Sequence, residues 1–321
     1  MSNILKSVVI AAASTAVLAA PALAADKVRV INSTKVVFEM EHPYSAAENG
    51  IFKKYGIKAS VIHGSGGAAS LQTILTGSQD VAWGNGVLGV VSAYAKGAPI
   101  RVLGSNIRGV PDLYWYVKND SPIKSFKDLT AKHELVYSRP GSTTNLAAIY
   151  IKNALGLKSK LVSVGGPSGS RTQAMSGQVA TGWSVFPLNK GLIRSKKIRV
   201  IGTGKQAAGL VGVTIRVIVA NSNWLDKNRD VAKRFMLAMM EGRAHTYNSV
   251  EQMKTYAARW KLNFDDVKDA GNDTPAEVTT ILPVAGLDVI NKIALENKKI
   301  KKLLTKEQLH ELVHPMGYKP I

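Results

Sequence analysis

Short apolar runs of strand length alternate along this chain with longer stretches whose apolar residues recur at helical spacing, the pattern of repeated β-α units around a mostly parallel sheet. Residues 28–31 predict a first strand with an irregular Asn32-Ser33-Thr34 turn behind it. Residues 57–62 predict a second strand, Gly64-Ser65-Gly66-Gly67 a tight loop, 68–76 a helix, 80–83 a third strand and 87–96 another helix. After 100–105 and the extended 113–117 a new series begins, with strand 134–138, helix 142–155 and strand 161–164. Two α/β lobes accommodate that restart better than one.

An internal echo supports the division. Gly77-Ser78-Gln79-Asp80-Val81-Ala82-Trp83 and Gly177-Gln178-Val179-Ala180-Thr181-Gly182-Trp183 each follow a predicted helix and end on a short predicted strand. In an open parallel sheet, ligands bind in the crevice at the carboxyl ends of the strands, so both segments are expected to point toward one cleft. Trp83, Trp183 and Phe186 would then form aromatic walls, and Asn85 and Gly86 would offer a side-chain amide and a backbone N–H. Lobe packing is the plainer role for a tryptophan at a strand end, and two short segments make a weak repeat.

Composition narrows the classes. The chain has 321 residues, 45% hydrophobic and 20% charged, enough to bury substantial cores in one or two domains and too apolar for disorder. Forty-two Lys and Arg against 22 Asp and Glu leave a formal charge of +20. The densest basic clusters, 194–197 and 298–302, are short and carry no interleaved aromatics, so nucleic acid is not the expected partner; small anions and anionic surfaces are. The absence of cysteine removes disulfides, thiolate metal sites and cysteine nucleophiles. Lys6, the apolar residues 8–20 and Ala22-Leu23-Ala24 read as a signal peptide over 1–24, excluded from the fold. The apolar run is shorter than the roughly 20 residues of a membrane span, which disfavours a retained anchor.

The segment best suited to chemistry is Arg139-Pro140-Gly141-Ser142-Thr143-Thr144-Asn145, between a predicted strand and an amphipathic helix. Unpaired N–H groups of a first helical turn, the positive dipole end and the hydroxyls of Ser142, Thr143 and Thr144 can hold a carboxylate, sulfonate or phosphate. A plain N-cap explains the same residues. Gly64-Ser65-Gly66-Gly67 offers a weaker version, a close backbone approach to ligand or simply a flexible β-α turn.

Three other patterns carry less. His310-Glu311-Leu312-Val313-His314 matches the H-E-x-x-H zinc pattern, but Pro315 biases His314 away from helix. Gly202-Thr203-Gly204 resembles a dinucleotide turn, yet no Asp or Glu follows before residue 226 to take a ribose. Glu39 with Glu41, and Asp265 with Asp266, are spaced so that they do not form an acid-base pair by themselves. No catalytic residue, metal or cofactor is expected.

Several segments together resemble a known family: Glu48-Asn49-Gly50-Ile51-Phe52, Gly66-Gly67, Leu75-Thr76-Gly77 with Asp80, Ala95-Lys96-Gly97-Ala98-Pro99-Ile100, residues 121–129 and Pro140-Gly141-Ser142-Thr143. They are similar to the periplasmic substrate-binding proteins of ABC importers for nitrate, sulfonate, taurine and thiamin precursors, the SsuA/THI5-like type. The resemblance implies a type II periplasmic-binding-protein fold, two α/β lobes joined by two crossover strands near 104–114 and 205–216. Lobe 1 would comprise 25–108 and 214–321, and lobe 2 would comprise 109–213. Ligand contacts carry over onto Ser33, Thr34, Gly66, Gly67, Asn85, Gly86, Ser142, Thr143 and Trp183 with its following loop. The chain departs at Ala180, where an acidic residue is common, at Thr130-Ala131-Lys132-His133, and over 36–42. The expected function is an exported, monomeric periplasmic receptor, not an enzyme, that hands a small anionic organic ligand to an ABC permease. The rivals are a TRAP-type receptor and a pyrimidine synthase of the same fold, the latter disfavoured by the missing cysteines.

Overall fold

The computed structural model describes residues 25–314, and the signal peptide expected over 1–24 lies outside the described residues. Strand β1 (Asp26–Asn32) buries Val28, Val30, Ile31 and Asn32 while Lys27 and Arg29 face outward, the signature of a strand covered ever more fully toward its carboxyl end. It pairs in parallel with β2 (Ile57–His63) and β3 (Val81–Gly86). These strands share a five-stranded sheet, ordered β2-β1-β3-β10-β4, with β4 (Ile100–Arg108) and β10 (Thr214–Asn221). All of β10 is buried, as befits a strand between two others.

A second group of strands covers the middle of the chain. β5 (Leu113–Lys118) lies antiparallel between β8 (Gly182–Val185) and β9 (Ile198–Thr203), while β6 (Glu134–Tyr137) and β7 (Lys160–Ser163) form a parallel pair. The chain passes from the first group to the second between β4 and β5 and returns between β9 and β10. Two α/β lobes result. The expected parallel pairing holds for β1, β2, β3 and for β6 with β7. β10 runs antiparallel to both of its neighbours, because it re-enters its sheet from the other lobe.

Helices fill the connections: α1 (His42–Glu48), α2 (Ile51–Lys54), α3 (Gly67–Leu75), α4 (Val87–Tyr94), α5 (Thr143–Ala154) and α6 (Pro167–Ser176). Ser142 caps α5, its hydroxyl accepting the Asn145 N–H at 3.1 Å, and Pro167 opens α6 where its missing N–H costs nothing. One apolar core runs through both groups of strands, with Trp83, Trp115, Tyr114 and Tyr116 fully enclosed. No helix among the described residues is long and apolar enough to cross a membrane.

The secondary patterns take structural roles. A Cβ at Gly202 would run into the Phe126 ring and one at Gly204 into the Val110 carbonyl, so these glycines serve close packing. The C-terminal helix Lys306–Leu312 ends before His314, whose backbone N–H donates to the Val102 carbonyl at 3.0 Å. Glu311 is engaged by Arg101 and by the Tyr94 hydroxyl at 2.9 Å.

Candidate ligand-binding cleft

The carboxyl ends of strands from both groups converge on one cleft. From the larger sheet come Ser33 and Thr34 after β1, Ser65, Gly66 and Gly67 after β2, and Gly84 and Gly86 of β3. Facing them are Ser138 and Arg139 after β6, Ser142, Thr143 and Thr144 at the start of α5, Gly166 and Pro167 after β7, and Trp183 and Val185 of β8. Val37, Leu113 and Arg216 complete the wall. Crevices outside the carboxyl ends of strands are where open α/β sheets take ligands.

The start of α5 is organised by its own hydroxyls. Ser138 Oγ donates to Ser142 Oγ at 2.8 Å, Thr144 Oγ1 lies 3.0 Å from Ser142 Oγ and 2.8 Å from Ser138 Oγ, and Thr144 Oγ1 accepts the Ser138 N–H at 2.8 Å. The Asn145 side chain accepts the Gly141 N–H at 2.9 Å. Ser142 is thus both an N-cap and a wall of the cleft. The N–H groups of Thr143 and Thr144 have no hydrogen-bond partner among the described residues.

Glycine lets the two lobes meet beside this turn. The Gly89 N–H donates to the Gly141 carbonyl at 3.0 Å. A Cβ on Gly86 would stand 2.9 Å from the Thr143 nitrogen and 3.0 Å from the Gly141 oxygen, and Gly141 itself adopts φ +78°.

Beneath the cleft lies a buried charge cluster. Arg216 Nη1 donates to Glu39 Oε1 and, at 2.9 Å, to Asp112 Oδ2; both carboxylates are fully buried. Burial pushes the Glu39 carboxyl up to about 7; the Arg216 charge opposes that rise and the Asp112 charge adds to it. Burial pulls the Arg216 guanidinium down, but Asp112 and Glu39 outweigh it and hold the group firmly protonated. His42, fully buried beside Arg243, is driven well below its ordinary value and stays neutral. Glu41 pairs separately with Arg259 at 2.7 Å and Gln252 at 3.0 Å, so Glu39 and Glu41 form no acid-base pair.

The structure brings together Ser33, Thr34, Gly66, Gly67, Gly86, Ser142, Thr143, Thr144 and Trp183. Three other candidates lie elsewhere. Asn85 turns its side chain away to donate to the Gly67 carbonyl at 2.9 Å, in a neighbouring groove. Phe186 stacks on Tyr114 at 4.4 Å, because side chains alternate across a strand and Trp183 and Val185 take the cleft side. Trp83 is wholly enclosed and donates its ring N–H to the Glu39 carbonyl at 2.9 Å.

Sequence reasoning passed over Arg139 and Arg216 as site residues. Arg139 opens the segment singled out above. Arg216 is the one charge in the apolar run 214–220, and a lone charge in a central strand is a signal in itself. No Asp, Glu or His side chain lines the cleft among the described residues, and no group of three or more His, Asp or Glu there could hold a metal ion.

Comparison with known proteins agrees with this architecture. The model of the family described as NMT1/THI5 like matches residues 38–253. The periplasmic aliphatic sulphonate binding protein SsuA from Escherichia coli superimposes with a TM-score of 0.73 at 20% identity, over 90% of this chain and 92% of its own. The alkanesulfonate-binding protein SsuA from Xanthomonas axonopodis pv. citri, bound to MOPS, gives 0.71 at 16% identity, over 90% and 95%. A DszB mutant in complex with biphenyl-2-sulfinic acid gives 0.62 at 17% identity, over 91% and 97%. These likenesses show the periplasmic-binding-protein fold. No curated protein matches by sequence.

Proposed function

This chain belongs to the NMT1/THI5-like family, and on that premise we propose that it is an exported, monomeric solute receptor that closes over a small organic anion, sulfonate-, nitrate- or carboxylate-like, and delivers it to an ABC permease. The observation that carries the reading is the lining of the cleft: hydroxyls, the start of α5 with two unpartnered amides, two arginines and no acid. A helix N-terminus with free N–H groups favours negative charge, and a water-poor cleft strengthens that preference. The same lining lacks a nucleophile with an adjacent base, which supports binding without turnover. Contacts to both walls give a ligand more interactions in the closed form than in the open one, so binding shifts the population toward closure. We assign 25–108 with 214–321 to one lobe and 109–213 to the other, and Ser33, Thr34, Gly66, Gly67, Gly86, Ser142, Thr143, Thr144 and Trp183 to the ligand.

A melting-temperature screen of the chain lacking residues 1–24 against alkyl and aryl sulfonates, nitrate, carboxylates and thiamin precursors tests the proposal. A ligand present at about 100 times its Kd adds about 2.7 kcal/mol to stability and raises the melting temperature. The reading fails if anions leave the transition unmoved while a neutral or cationic compound raises it, or if mass spectrometry shows the bound compound converted.

A further inference from the structure

The two arginines of the cleft are not equivalent. Arg216 comes up from the central strand β10 with a side chain only 7% exposed, and Nη1 bonds to two wholly buried carboxylates, Glu39 and Asp112. One guanidinium against two acids leaves that cluster with no surplus positive charge, whichever protonation state Glu39 adopts. Its attraction for a further anion is therefore largely cancelled at source, although its remaining N–H groups still donate.

Arg139 stands differently. It follows β6 on the opposite wall, is half-buried, and its guanidinium has neither a hydrogen bond nor an ion pair among the described residues. It reaches toward the other sheet: Nη1 lies 3.7 Å from where a Cβ on Gly66 would stand, and Gly66, at φ +130°, occupies backbone space that favours glycine. An unpaired guanidinium in a cleft lined by no carboxylate is an unfilled half of an ion pair.

We propose that Arg139 supplies the counter-charge for the ligand, that Arg216 orients it only as a hydrogen-bond donor, and that the cleft therefore selects singly charged anions over dianions such as sulfate. This deepens the receptor reading and rests on it. A second negative charge would be desolvated without a cation of its own, because the carboxylates behind Arg216 already engage that guanidinium.

The test is titration calorimetry of the purified chain with methanesulfonate, benzenesulfonate, benzoate and sulfate at low and high salt, repeated on Arg139→Gln and Arg139→Lys. Wild-type protein is expected to bind at least one monoanion, with sulfate about tenfold weaker or worse. Arg139→Gln should weaken the monoanion by roughly tenfold to a hundredfold and flatten its salt dependence, and Arg139→Lys should recover part of the loss. Because Arg139 has no protein partner, both variants should melt with the wild type, which separates lost charge from lost fold. Wild-type affinity in Arg139→Gln, or sulfate bound as tightly as the best monoanion, overturns the inference and leaves the receptor reading standing. Wild-type protein that binds none of the four anions overturns the inference, and the receptor reading falls with it only if every anion of the melting screen also fails while a neutral or cationic compound binds.

Discussion

Trp83 and Trp183 each stand six residues after a glycine in left-handed conformation, Gly77 at φ 69° and Gly177 at φ 79°, and each lies in a short strand. Beyond that shared turn the two regions diverge. Trp83 is fully enclosed, packs edge-on against His42 at 5.9 Å and holds the Glu39 carbonyl. Trp183 donates to the Gly165 carbonyl at 3.1 Å and turns its ring to the cleft. Even the turn residues differ in their support. Asp80 accepts the Arg29 N–H at 2.8 Å and its guanidinium at 2.6 and 3.1 Å, whereas at Ala180 the Glu134 carboxylate arrives from β6 to accept the backbone N–H at 2.9 Å. The two strands also differ in register. Against β10, β3 has one extra residue between Ala82 and Asn85, with Gly84 at φ +81°, while β8 pairs with β5 residue for residue. A bulge re-aims the side chains around it, so the residues that follow the two tryptophans do not keep the same facing.

Truncating both rings gives the largest expected effect. Trp83→Ala should cost about 3–5 kcal/mol in chemical denaturation, since it leaves a sealed void and an unpaired carbonyl. Trp183→Ala opens into a cleft that water can enter and should cost about 1–3 kcal/mol, while also weakening whichever anion the melting screen identifies. Equal stability losses, with no change in affinity for Trp183→Ala, would erase the distinction between core and wall.

The glycines after the first tryptophan offer a sharper cut. Gly86→Val places a side chain against the Thr143 amide and the Gly141 carbonyl, contacts that exist only between lobes, so the lobes should separate and each stay folded. Affinity should fall about tenfold to a hundredfold, or roughly 1.4–2.8 kcal/mol, with little change in melting temperature. Small-angle scattering should show a larger radius in the presence of ligand than for the wild type. Unaltered affinity would mean that this approach of the lobes is not part of the bound state.

The smallest effect is a pH slope, and it belongs to the first region alone, where a titrating group lies under the tryptophan. Glu39 rises from an ordinary 4.5 to about 7, so its contribution to stability is fully present below the unfolded value and is lost as pH climbs through about 7. Glu41, also raised to about 7 by burial, acts in the same sense. His42, held neutral, acts oppositely and loses stability as pH falls below its ordinary 6.5. Glu39→Gln should flatten the decline in denaturation free energy between about pH 5 and pH 7; an unchanged slope would show that Glu39 is already ionised across that range.

Much of this was legible in the residues. Periodicity located β1 to β7 and helices α3, α4 and α5 to within a few positions, and the Ser-Thr-Thr-Asn run marked the capped start of α5. Loops after strands picked out Ser33, Gly66 and Gly86, because the carboxyl ends of parallel strands open on the crevice wherever the strands lie. The expected site residues that fall outside the cleft are those whose facing had to be known. Asn85 and Phe186 are each one residue from a position that lines the cleft, and in a strand one residue is the difference between two faces.

Sequence alone determined the kind of molecule: an α/β chain without cysteine, strongly basic, with an anion-suited helix start and the family likeness carried by short motifs in order. These are properties of local pattern and composition, which survive without knowledge of which strand meets which. The tertiary structure decided the antiparallel course of β10, the enclosure of Trp83 beneath Glu39 and His42, the glycine contact between the lobes, and the pairing that cancels Arg216 while leaving Arg139 open. Each depends on groups far apart in the chain meeting at a few ångströms, where a one-residue register shift or a single buried carboxylate reverses the outcome.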